Sequence, residues 1–60
     1  MAKRYLTPEE VGEILIVPQT TLYKWRYSGT GPPSVKFGKY LRFPADEFER
    51  WVSEREAKAS

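Results

Sequence analysis

Sixty residues make one small domain, and a chain of this length buries only about 60% of its unfolded surface, leaving little room for an enclosed catalytic cleft. With no cysteine and no histidine, disulfides, thiolate chemistry and the usual zinc ligand sets are excluded, and neither a metal nor another cofactor is expected. The formal net charge of +2 hides an asymmetry: Ile14 to Ala45 holds five basic residues and no acidic one, while all eight carboxylates lie outside that window.

The chain opens with a short basic arm, residues 1–5, that has no apolar signal core. No apolar run approaches the roughly 18 residues of a membrane span, so a soluble intracellular protein with no membrane partner is expected. Thr7-Pro8-Glu9-Glu10 is a helix start: Thr7 caps, Pro8 fits the first helical position, and Glu10 stands where a capping box places its acid. Leu6, Val11, Ile14 and Leu15 follow at helical spacing, which predicts a helix over Pro8–Leu15.

Pro18 begins a second predicted helix that runs to Ser28, where Gly29 stops it. Its core side is Pro18, Leu22 and Trp25. Ser28 to Pro33 is dense in breakers and reads as an irregular loop. Two strands are predicted next, Ser34–Phe37 and Leu41–Phe43, joined by a three-residue loop, Gly38-Lys39-Tyr40. That register sets Val35, Phe37, Leu41 and Phe43 on one apolar face and Lys36 and Arg42 on the other. Pro44 opens a last helix to about Arg55, with Phe48, Trp51 and Val52 as its core stripe, and 56–60 is expected to be a flexible tail. The folded unit is thus 6–55, an α+β domain in the order α-α-β-β-α.

The spacing within the helix pair carries more information than the pair itself. A small residue, Gly12, is followed by a turn at Ile16 and Val17, then by apolar residues ten and thirteen positions after it, Leu22 and Trp25. This resembles the helix-turn-helix pattern, and it departs from it at Ile16, where glycine is usual. A β-branched residue is strained at positive φ, so a differently shaped turn is expected here.

Opposite Leu22 and Trp25, the second helix carries Thr20, Tyr23, Lys24 and Tyr27 at offsets of three, four and seven residues, one stripe of a helix surface. With Gln19, Thr21 and Arg26 beside it, the stripe suits base edges, thymine methyls and phosphates. Helix-turn-helix proteins set the N-terminal residues of this helix on base edges, which makes Gln19, Thr20 and Tyr23 the base-reading candidates and Lys24, Arg26 and Tyr27 the backbone contacts. The hairpin then reads as a basic wing, with Lys36, Lys39, Tyr40 and Arg42 on its outer face or tip. The plainer alternatives are a solvated helix face and an edge hairpin blunted by charge.

Taken together, Tyr5 to Val11, Val17 to Trp25, Val35 to Phe43 and Asp46 to Trp51 resemble the small excisionase-type winged helix-turn-helix domain of phages and prophages, related to the MerR regulators, the mycobacteriophage excisionases being the nearest likeness. The resemblance spans Tyr5 to Val52. It implies a two-stranded wing, double-stranded DNA as ligand, no catalysis and a bacterial cytoplasmic setting at the nucleoid. It further implies a recombination directionality factor that binds repeated attachment sites in several copies, bends the DNA and steers a phage integrase toward excision. A small transcription regulator of the same fold is the alternative. Ligand-sensing regulation is disfavoured, because the nine residues after Trp51 hold no heptads, and no small-molecule effector is expected. No nucleophile–base pair or phosphate-cradling glycine loop speaks for an enzyme.

Overall fold

The computed structural model describes residues 3–59, so Met1 and Ala2 of the expected arm and Ser60 of the expected tail lie outside the described residues. Six elements follow one another: β1 (Tyr5–Leu6), α1 (Pro8–Leu15), α2 (Gln19–Tyr27), β2 (Val35–Phe37), β3 (Tyr40–Pro44) and α3 (Ala45–Ala59). The α+β winged architecture is as the sequence predicts, with one strand added. Tyr5, read from sequence as part of the arm, and Leu6, read as part of the apolar stripe of the first helix, pair antiparallel with Pro44 and Phe43. The sheet is therefore three-stranded, in the order β1-β3-β2. Two residues are too few to give a period-2 signal, which is why pattern alone passes over β1.

Helix α1 starts as its sequence dictates. The Thr7 hydroxyl accepts from the Glu10 amide at 3.1 Å, and the Glu10 carboxylate accepts from the Thr7 amide at 2.9 Å. This backbone hydrogen bond, the Thr7 side-chain bond and more weakly the charges of Arg4 and Arg42 hold the Glu10 carboxyl below the ordinary glutamate range. At the other end the expectation for the turn fails. Ile16 adopts φ 56° and ψ 52°, the left-handed conformation, as the C-cap of α1. The Gly12 carbonyl rewards this by accepting from the cap amide and from the Val17 amide, the latter at 2.9 Å. Gly12 must be small for that approach, since a Cβ there would sit 3.0 Å from the Val17 carbonyl oxygen.

Pro18 is the exposed N-cap of α2 and does not face the core as expected. The core consists of Leu6, Val11, Leu22, Leu41, Phe43, Ala45 and Phe48, with Leu15, Val17, Trp25 and Val52 packed against it. Trp25 and Trp51 are only half-buried, their ring centroids 6.4 Å apart, so they close the edge of the core instead of filling its centre. Gly31, at φ +86°, lies so near Trp25 that a Cβ on it would be 2.8 Å from the tryptophan Cβ. Helix α3 continues past Arg55 to Ala59, through the segment expected to be a tail.

The hairpin register also differs from expectation. Phe37 pairs with Tyr40, Lys36 with Leu41 and Val35 with Arg42, which leaves a two-residue turn at Gly38-Lys39. Gly38 has φ +64° and Lys39 does not share the positive φ, the pattern of a II′ turn with glycine first. The shift undoes the predicted faces. Leu41 and Phe43 are buried, whereas Val35 and Phe37 are exposed, and Lys36 and Arg42 stand on opposite faces of the hairpin.

Candidate nucleic-acid interface

Packing of Leu22 into the core fixes which side of α2 looks outward. That side and the hairpin enclose an open groove of about 700 Å³ lined by Thr20, Tyr23, Lys24, Arg26, Tyr27, Ser28, Lys36 and Leu41. Three of these residues are cationic and none is acidic. The new register explains how Lys36 reaches the groove: it shares a hairpin face with Leu41, the core residue that floors it. Tyr27 is 97% exposed and Tyr23 50%, so both rings present apolar surface along the groove.

Most of the residues proposed from sequence converge here, and the rest fall nearby. Gln19, the first residue of α2, lines a neighbouring groove with Glu9, Gly12, Glu13, Ile16, Val17 and Pro18. Thr21 is half-buried on the flank of α2. Lys39 lies in the hairpin turn and Tyr40 follows it, and the Tyr40 ring has Lys39 Nζ 5.6 Å and Arg42 Cζ 5.4 Å from its centroid. Arg42, on the face away from the groove, donates from Nη1 to the Leu41 carbonyl at 2.7 Å. Sequence reasoning missed Ser28, whose hydroxyl donates to the Lys24 carbonyl at 2.6 Å, and Leu41 as the groove floor. Both depend on the helix end and the register, which no single-residue signal discloses.

The N-terminus of α2 has Pro18 as its cap, makes no side-chain cap hydrogen bond and carries no acid in its first turn, so its positive end is not neutralised from within. Lys24 and Arg26 in the last turn suit the negative end of the same helix dipole. A model of the helix-turn-helix domain family matches residues 5–56. The chain belongs to the helix-turn-helix domain family. Searches of curated proteins and of solved structures return no match.

In this helix-turn-helix, α1 and α2 are the paired helices, Gly12 and Ile16 shape the turn between them, and β2 and β3 form the wing. It is a DNA-binding domain of a family that is typically non-enzymatic. Among the described residues there is no group of three or more Asp, Glu, Cys or His that could hold a metal, and no helix long and apolar enough to cross a membrane.

Proposed function

We propose that the groove between α2 and the wing takes double-stranded DNA, with α2 in the major groove and the hairpin tip at the adjacent minor groove. The observation that carries this is the acid-free lining of the groove by Lys24, Arg26 and Lys36 together with Thr20, Tyr23 and Tyr27. Thr20 and Tyr23 meet base edges, with Gln19 and Thr21 beside them at the start of the helix. Lys24, Arg26, Tyr27, Lys36, Lys39, Tyr40 and Arg42 meet phosphate and sugar.

The role we assign is that of an excisionase: an architectural protein that occupies repeated attachment sites side by side, bends the duplex and directs a phage integrase toward excision. Support comes from the resemblance of the Tyr5–Val52 motifs to excisionase-type winged domains and from a chemistry that offers charge and shape but no catalytic group. A small transcription regulator of the same fold would use the same groove. Phased gel shifts on multi-site attachment DNA, run beside an in vitro recombination assay, separate the two. Cooperative binding, curvature and integrase-dependent excision are expected. Binding to one isolated site, with the duplex straight and excision unaffected, favours the regulator.

A further inference from the structure

On β3, Leu41 and Phe43 point into the core, so Tyr40 and Arg42 point the other way, while Pro44 at the strand end is buried. Pairing adds Val35, Phe37 and Tyr5 to that second face. An antiparallel sheet with one packed face ordinarily turns polar residues outward. This one turns out Tyr5 (39% exposed), Val35 (40%), Phe37 (49%) and Tyr40 (56%). Tyr5 and Phe37 bridge the two edge strands, their rings 5.4 Å apart and edge-on at 85°. This contact holds together two rings that both remain partly exposed.

We propose that this outer face is a second nucleic-acid site, a stacking platform for the unpaired bases of a single strand. Aromatic rings on an antiparallel sheet stack bases of any identity, and neighbouring cations hold the phosphates between them. Both components are present here, since Lys39 and Arg42 flank the Tyr40 ring at the end of the platform. The acids at its margin are already engaged: Glu10 caps α1 through Thr7, and Glu47 pairs with Lys3 at 3.3 Å. A polyanion therefore meets the cations Lys39 and Arg42 on this face, Arg42 only weakly offset by the charge of Glu10, which an acid-poor protein surface would not match. The site stands on the side of the hairpin opposite Lys36, shares Lys39, Tyr40 and Arg42 with the proposed duplex interface but none of the groove-lining residues, and does not rest on that groove's assignment.

The test is fluorescence anisotropy with a labelled oligothymidylate of roughly ten nucleotides, within the span of one such platform. The same protein samples are titrated with a labelled duplex. Phe37→Ser and Tyr5→Ser are expected to weaken oligothymidylate binding roughly tenfold each, the order of one lost stacking contact, and to leave duplex binding unchanged. Lys24→Glu is expected to do the reverse. Phe37→Leu, which keeps apolar bulk but removes the π face, guards against a loss of folding and should weaken the single strand alone. Failure of the wild-type protein to bind oligothymidylate overturns the proposal and leaves the face to a protein partner. Equal losses of both ligands in Phe37→Leu overturn it as well. Absence of duplex binding with the single-strand pattern intact would instead remove the groove assignment and leave this one standing.

Discussion

Lys36 stands directly opposite Leu41 across the hairpin, so a cation and a buried core residue share one face of the wing. The core contact of Leu41 thereby determines where Lys36 points, into the groove beside α2. Replacing Lys36 with alanine should lower duplex affinity about equally for all sequences and make the salt slope roughly one unit shallower, as expected for one phosphate contact. Thermal stability should not change, because the side chain is exposed. Tyr23→Ala should instead erode the preference for the cognate site. Parallel titrations of cognate and random duplex at several salt concentrations check both.

Ile16 holds a left-handed conformation at 88% exposure, where its side chain gains almost nothing by burial. The left-handed region costs an L-residue roughly 1–2 kcal/mol, more than the entropy that glycine loses on folding. Ile16→Gly is therefore expected to stabilise the domain by up to about 1 kcal/mol, read as a rise in the urea midpoint. An unchanged or lower midpoint would mean that the turn draws its stability from Ile16 itself.

Gly31 behaves in the opposite way. It combines φ +86° with a Cβ position 2.8 Å from the Trp25 Cβ, so an added methyl meets both strain and a clash. Gly31→Ala should cost roughly 2 kcal/mol or more and loosen the Trp25–Trp51 pair. Chemical denaturation followed by tryptophan fluorescence reports both effects together.

The Glu10 cap gives stability a sign in pH. Its carboxyl is held below the ordinary range by the Thr7 hydrogen bonds. The associated stabilisation is fully present above the unfolded value of about 4.3 and is lost as pH falls through the lower, folded value. Glu10→Gln keeps an acceptor for the Thr7 amide but cannot titrate. Thermal melts between about pH 3 and 7 should show this variant with the weaker acid dependence of the two proteins.

What the sequence discloses follows from how local each signal is. The capping box at Thr7 and Glu10, the extent of α1 and the core roles of Leu22 and Phe48 are written in short-range spacing and appear as expected. The wing residues are harder, because a slip of one residue exchanges the faces of a strand. Counting Tyr40 as part of the loop, instead of as the partner of Phe37, buries Val35 and Phe37 on paper and aligns Lys36 with Arg42. The glycine-first turn favours the other register through its backbone geometry, even though apolar pattern alone argues against it. Ile16 escapes for a different reason. The two hydrogen bonds to the Gly12 carbonyl reward a conformation that intrinsic preference opposes.

If the acid-free groove of α2 and the wing binds duplex DNA through its cations, binding to attachment-site and random duplex must fall steeply with salt. Lys24, Arg26 and Lys36 in the groove, with Lys39 and Arg42 on the wing, predict a slope of log K against log salt of roughly −4 to −5, with attachment-site DNA bound more tightly throughout. A slope shallower than about −2, with no preference for either duplex, would show that these cations do not carry duplex binding.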